Sequence, residues 1–388
     1  MLEISYEARL ALRLLEENGF EAYLVGGCVR DYILKRPFND YDITTSATPD
    51  EVKKVFYKFR VIETGIKHGT VTVLIDSVPI EITTYRVDGD YKDNRHPETV
   101  EFSKKLSDDL CRRDFTVNAL AYNKNIVDMF NGIDDLNKKL IRCVGDPDKR
   151  FNEDGLRIIR ALRFASVLGF DIEEETGKSI IKNKHLLKNV SSERIFEELK
   201  KLLCGVNSKN IIEKYGVVFD ELFNGKNFSK RAESIDNCPY DINVRTASLF
   251  LEDNFFREDL SMLRVDNKFY NRCINAINNY SCELNADKIS VKKYLNRFGG
   301  QTLTDVLYLR EAEGYDVFGI REIYQEIKAN KECYLVSELD ISGADLILLG
   351  YKDKQIGDAL NLLLKLVIEE KLPNTREELY KYAKENLL

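Results

Sequence analysis

Up to about residue 140, apolar positions fall in short runs or in strict alternation, the pattern of strands; beyond about residue 145 they recur at helical spacing. AYLV (22–25) is a compact apolar strand that runs into Gly26-Gly27, and residues 28–35 read as a helix. YDITT (41–45) reads as another strand. TPDE (48–51) is a helix start, with Thr48 as N-cap, Pro49 at the first helical position and Glu51 at the capping-box position. TVTVLID (70–76) and VPIEITTYR (78–86) alternate as strands around a turn near Asp76-Ser77. Residues 88–98, DGDYKDNRHPE, hold almost nothing apolar and read as a mobile loop. A further helix is expected over RDFTVNALAYN (113–123). Helical periodicity then marks 153–168, 193–204, 290–298, 303–313 and 355–371. The pattern predicts an α+β head followed by an all-helical remainder.

Composition narrows this little. With 388 residues the chain is long enough for two or more cored domains, and 44% hydrophobic with 32% charged residues is globular usage. No run of about 18 apolar residues predicts a membrane span. The first twenty residues read as an amphipathic helix and not as a signal peptide. Eight scattered cysteines without a CxxC pair point to reduced, buried thiols and a cytoplasmic setting. His68, His96 and His185 are too few and too dispersed for a zinc site. The net charge of −7 is a poor guide to nucleic-acid binding, because phosphate contacts are local.

The placement of polar residues changes the picture more. Asp40 and Asp42 flank Tyr41 at the mouth of a strand, where i and i+2 share a face about 6–7 Å apart. Such a pair suits Mg²⁺, which prefers oxygen ligands. Glu81, alternating with Ile80 and Ile82, supplies a third catalytic acid if its strand lies next door. An ordinary Asx-rich turn is the plain alternative for NDYD. Gly26 and Gly27 end a strand and open a helix, which lets backbone N–H groups approach a phosphate, and Arg30 lies one turn on. A tight turn needing glycine explains the pair equally well. RRDFTVNAL (112–120) sets Arg113 and Asp114 before an apolar stretch, with Asn118 four residues after Asp114 on the same helix face, either a helix start capped by Asp114 or a surface on which Arg113, Asp114 and Asn118 contact the sugar and phosphates of a nucleotide. NEDGLRIIRALRF (152–164) gathers Glu153 and Asp154 with Arg157, Arg160 and Arg163, either a solvated salt-bridged flank or a surface that grips an anion and reads a polar edge.

GGCVRDYILKRPFNDYDI, RRDFTVNALAYN and EDGLRIIRALRF, in this order, resemble the bacterial class II tRNA nucleotidyltransferases, the CCA-adding enzymes, whose superfamily includes the bacterial poly(A) polymerases. TGIKHGTVTV, VDMFNGIDDL and SSERIFEELKKLL are also similar to family segments; the likeness weakens beyond about residue 205. The resemblance implies a nucleotidyltransferase palm of mixed, mainly antiparallel sheet (1–142), a helical neck with the nucleotide-selecting helix (143–205), a helical body (206–285) and a tRNA-binding helical tail (286–388). It implies Mg²⁺ on Asp40 and Asp42, and nucleotide contacts from Gly27, Arg30, Arg113, Asp154, Arg157, Arg160 and Arg163. CTP, ATP and tRNA are the implied partners.

Within that resemblance the EDxxR helix acts as an amino-acid template. On a continuous helix Asp154 and Arg157 stand about 60° apart. A carboxylate accepting and a guanidinium donating match cytosine and adenine and oppose uracil and guanine. Glu153 is placed to hold Arg157 at i,i+4. A poly(A) polymerase, or a relative that adds only CC or only A, shares the same motifs, and a non-catalytic RNA-binding protein on this scaffold would be expected to have lost its acids. Relatives that stop after CC lack the 88–98 loop, which implies a lever for A addition; a passive surface loop is the plain alternative. In the tail, Gly350, Lys352 and Lys354 precede a helix and suit either an RNA phosphate or an ordinary cap.

Overall fold

A computed structural model describes residues 4–38, 40–89, 100–223, 228–253 and 255–386. Most of the expected loop at 88–98 thus lies outside the described residues.

The chain opens with α1 (Tyr6–Glu17), capped by Ser5, whose side chain accepts from the Ala8 N–H. Next come β1 (Ala22–Val25), α2 (Gly27–Ile33), β2 (Tyr41–Thr45) and α3 (Pro49–Val55). The capping box expected at Thr48 and Glu51 forms, with Thr48 N–H donating to Glu51 at 2.7 Å. After β3 (Arg60–Ile62), the hairpin β4 (Thr70–Ile75) and β5 (Val78–Thr84) turns through Asp76 and Ser77, both at positive φ. A two-stranded ribbon follows, β6 (Arg86–Asp88) with β7 (Val100–Phe102), then α4 (Leu106–Cys111), β8 (Leu120–Asn123), β9 (Asn125–Asp128) and α5 (Gly132–Lys138).

These strands form one seven-stranded sheet ordered β3-β4-β5-β2-β1-β8-β9. Within this sheet, among the described residues, the β2–β5 pairing is parallel and the other pairings are antiparallel. Ile43, Val71, Val73, Ile80 and Ile82 are fully or almost fully buried. The alternate positions Thr70, Thr72 and Glu81 are not, so one face of the sheet makes the core and the other stays polar.

The helix expected over 113–123 is replaced by a single 3-10 turn at Thr116–Asn118 and strand β8. That strand lies between β1 and β9, and Leu120, Ala121 and Tyr122 are all buried. A strand covered on both faces loses its alternation and mimics a helical apolar run.

The next segment holds β10 (Leu140–Ile141), α6 (Pro147–Glu153), α7 (Leu156–Leu168), β11 (Asp171–Ile172), α8 (Glu174–Asn183), α9 (Ser192–Leu203) and α10 (Ser208–Leu222). The helix expected from 153 to 168 is therefore two helices, broken at Asp154 and Gly155. Asp154 is extended (φ −144°, ψ 109°), its carboxylate taking the Leu156 N–H at 3.0 Å. A side-chain acceptor two residues before a helical N–H competes with the helix and starts a new one.

Contacts divide the chain into two units. The first runs through Ala232 and includes Met262–Arg264; the second holds Glu233–Ser261 and Val265–Leu388. The second unit is helical: α11 (Ala232–Asn237) belongs to it except for its first residue, followed by α12 (Ile242–Leu249), α13 (Phe256–Met262, whose last residue falls in the first unit), α14 (Asn267–Asn279), α15 (Lys288–Ala312), α16 (Phe318–Ala329), α17 (Gly343–Leu348), α18 (Lys354–Ile368) and α19 (Arg376–Asn386). The periodic segments 290–298 and 303–313 join in α15 across a kink at Gly299, whose φ of 80° glycine tolerates at no steric cost. Among the described residues, no helix is long and apolar enough to cross a membrane.

Candidate active site

The parallel register of β2 on β5 sets Asp42 opposite Glu81. Both side chains lie on the solvated face, as the alternation of Glu81 with Ile80 and Ile82 predicts. Asp40 is exposed just before β2. Desolvation by its neighbours raises the Asp42 carboxyl above the ordinary carboxylate value, although the residue as a whole is exposed. The charges of Glu81 and Asp40 add to the rise, and Arg113 opposes it. Like charges held together in this way invite a cation. The donors are all carboxylate oxygens, which fits a hard divalent ion. Among the described residues, no three His, Cys, Asp or Glu are already gathered as a metal cage.

Gly26 lies beside the Asp42 carboxylate. Its backbone is at φ 74°, and a Cβ there would stand 3.3 Å from Arg113 Nη1 and 3.8 Å from Asp42 Oδ2. Conformation and space both call for glycine. Arg113 reaches this point because buried Asp109 holds its Nη2 at 3.1 Å while taking the neighbouring Arg112 at 2.6 Å. The buried Arg113 Nε has no hydrogen-bond partner among the described residues, an unspent donor beside the glycine turn.

Arg30 is spent inside the protein. Its Nε and Nη2 form a fork on Asp31 at 3.0 and 2.7 Å, and Nη1 donates to Asn118 at 2.7 Å. Asn118 in turn donates to Asp114 Oδ1 at 3.1 Å, so the two meet as expected although no helix carries them. Asp114 Oδ2 accepts from Arg160 Nε and Nη2 at 3.0 and 2.7 Å. Arg160 Nη1 donates to Glu198 at 3.3 Å, and the other oxygen of Glu198 takes Arg163 at 2.7 Å. The Phe164 ring sits among all three cations, with the Arg163, Arg30 and Arg160 guanidinium carbons 3.5, 5.1 and 5.4 Å from its centroid. Burial would raise the Asp114 carboxyl, but the charge and hydrogen bonds of Arg160, with Asn118, hold it down at about 2.

The Asp154–Arg157 pair comes from the helix break instead of a continuous helix. Arg157 is fixed by Glu153 at 2.6 Å, the expected i,i+4 partner, and by the carbonyls of Arg150 and Arg112 at 3.3 and 3.1 Å. Asp154 is gripped by Arg194 at 2.7 and 3.4 Å.

Arg194, Glu198, Phe164 and Asp109 escaped the sequence reading. For Arg194 and Glu198, opposite charges four apart in SSERIFEELKKLL were the available signal, but such a pair is equally at home on a solvated helix face. Cys28 is buried as expected, its thiol pushed up to about 11 by burial, whereas Cys111 at the end of α4 is exposed, off the face that buries Leu106 and Leu110.

Residues 22–142 match the family described as "Poly A polymerase head domain". Residues 169–215 match an "RNA and SrmB- binding site of polymerase A", and 247–383 match "tRNA nucleotidyltransferase domain 2". Along its whole length the chain is 37% identical to a CCA-adding enzyme of Lactobacillus helveticus, an alignment covering 99% of this chain and 98% of that one. The chain belongs to the CCA-adding enzymes. A CCA-adding enzyme of Staphylococcus haemolyticus is 34% identical, with 99% of both chains covered. The crystal structure of the Bacillus stearothermophilus CCA-adding enzyme in complex with CTP shares the fold at a TM-score of 0.82 and 28% identity, covering 97% of this chain and 95% of that one. A Thermotoga maritima CCA-adding enzyme complexed with tRNA has the same fold, with a TM-score of 0.68 at 21% identity, over 96% and 93% of the two chains.

Proposed function

We propose that this CCA-adding enzyme extends the 3′ end of tRNA by C, C and A, taking CTP and ATP without a nucleic-acid template and releasing pyrophosphate in the cytoplasm. The observation that carries this reading is the role of three consecutive residues. Arg113 faces Gly26 and Asp42 of the sheet. The Arg112 carbonyl holds Arg157 at 3.1 Å, and Asp114 holds Arg160 at 2.7 Å. One short segment thus ties the acid pair to the arginines of α7, the arrangement needed to read a base while its α-phosphate reacts.

In the reaction the tRNA 3′-hydroxyl attacks the α-phosphate, an O–P bond forms, the α–β bridge breaks, and the hydroxyl proton is lost. Asp40 and Asp42, with Glu81 beside them, would hold Mg²⁺, which when bound activates the hydroxyl and neutralises the leaving pyrophosphate. The Arg113 guanidinium, the Gly26-Gly27 turn, Arg160 and Arg163 would face the triphosphate, Asp114 would orient Arg160, and Arg30, expected to bind the nucleotide but held inward by Asp31 and Asn118, would add its charge behind them. Asp154 accepts from the amino group of cytosine or adenine, and Arg157 donates to the adjacent ring nitrogen. Uracil and guanine would set a carbonyl against the carboxylate and an N–H against the guanidinium, a mismatch worth about 10⁴ in discrimination. The four-part division into head, neck, body and tail, with the tail on tRNA, belongs to the same proposal.

A poly(A) polymerase is the second reading, favoured by the match of residues 22–142 to the head domain of that name. The assignment of the acids is tested with Asp42→Ala. We expect loss of every nucleotide addition by at least about 10²-fold, with tRNA binding by filter retention nearly unchanged. C addition at the parental rate would remove Asp42 from the reaction.

A further inference from the structure

Helix α9 packs on α7 and sends two side chains of opposite charge from one face, Arg194 and Glu198. Each meets a different part of the segment that begins at Asp154. Arg194 grips the Asp154 carboxylate in a fork at 2.7 and 3.4 Å. Glu198 bridges Arg160 and Arg163 at 3.3 and 2.7 Å, one carboxylate oxygen to each.

A carboxylate has about four acceptor positions. On Asp154, Oδ1 takes the Leu156 N–H and Arg194 Nη1, and Oδ2 takes Arg194 Nη2. One position on Oδ2 is left, aimed by a two-point hold. Without Arg194 the group keeps only the Leu156 N–H and can turn on its own bond. On the phosphate side, Arg160 keeps its fork on Asp114 when Glu198 is removed, but Arg163 is left resting on Phe164.

We infer that α9 tunes base choice and phosphate grip through two separable contacts: Arg194 positions the base-reading Asp154, and Glu198 positions the phosphate-facing Arg160 and Arg163. This rests on the base-reading and phosphate-binding roles proposed above. Both are positioning residues, acting through other side chains.

The test is a crossed kinetic comparison. C addition to tRNA lacking its 3′ end is measured with CTP and with UTP, and A addition to tRNA ending in CC with ATP. Arg194→Ala lowers the ratio of kcat/KM for CTP over UTP by about tenfold or more, while the KM for CTP moves by less than about threefold. Arg194→Lys, which keeps the charge but loses the fork, recovers only part of the ratio. Glu198→Ala raises the KM for CTP and for ATP by the same factor, about tenfold, and leaves the CTP-to-UTP ratio within about twofold. Asp154→Ala alone lowers the ratio, and Asp154→Ala with Arg194→Ala lowers it no further.

If Asp154→Ala does not change the ratio, the base-reading role itself fails. If it does but Arg194→Ala does not, the inference fails while that role stands. If both α9 variants shift ratio and KM together, in step with a fall in Tm, α9 merely packs against α7 and the separation is overturned.

Discussion

Asp114 sits where the head segment meets α7, and its ionisation is the clearest residue-scale consequence of the network. Its folded pKa of about 2 lies below the ordinary carboxylate value of 3.8, because the Arg160 and Asn118 contacts outweigh burial. A depressed pKa contributes stability that is complete above the unfolded value and fades as pH falls toward the folded one. The window is therefore about pH 4 down to about pH 2, and the contribution is on the order of 2 kcal/mol. Asp114→Asn should be less stable than the parent at pH 7, and denaturant titrations should show that gap closing as pH drops through this window. A gap that stays constant from pH 7 to pH 2 would mean that the charge of Asp114 contributes nothing. At this scale the sequence disclosed the participants but not their pairings. Asp42, Glu81, Asp154 and the α7 arginines were legible because each sat at a telling spacing. Arg194 and Glu198 were not, because a charged pair four apart on a helix looks the same whether it meets water or another helix.

At the scale of elements, the break between α6 and α7 does what a continuous helix would not: it turns the Asp154 carboxylate out of the helical path and lets Arg194 hold it. Gly155 makes the break possible, since a Cβ there would lie 2.8 Å from the Leu186 carbonyl oxygen and 3.1 Å from its carbon. Gly155→Ala forces backbone to shift and should cost about 1–3 kcal/mol, with a Tm several degrees lower and weaker discrimination of CTP from UTP. Unchanged Tm and discrimination would show that the backbone at Leu186 yields without disturbing Asp154. The β6–β7 ribbon flanks the polar segment expected to act in A addition. Deleting residues 89–94 should leave C addition within a few fold and cripple A addition, since one template must accept a purine after a pyrimidine. A folded deletion variant that completes CCA at the parental rate would reduce the segment to a connector. Strands with one solvated face, such as β4 and β5, could be read directly from alternation. Strand β8, buried on both faces, and the α6–α7 break, made by one carboxylate and one tight contact, depend on tertiary neighbours that periodicity does not record.

For the whole molecule, the α+β head followed by helices could be read from where alternation gives way to helical spacing. The order of the seven strands could not, because β2 pairs with β5 across two intervening strands and that parallel pairing is what brings Asp42 to Glu81. Net charge was silent as well: the chain carries −7, yet the arginines that matter are gathered in one network and largely neutralised by Asp31, Asp114 and Glu198. An alignment at 37% identity covering 99% of the chain with a CCA-adding enzyme settles the family, while the order of addition is a property of the assembled site. It is read most directly by incubating the full chain with Mg²⁺, all four nucleoside triphosphates and tRNA lacking its 3′ end, and then sequencing the products. The expected product ends in C, C and A and grows no further, with U and G absent. A run of A residues or a stop after CC would contradict the C, C and A reading, and incorporation of U or G as fast as C would contradict the assignment of Asp154 and Arg157 as the template.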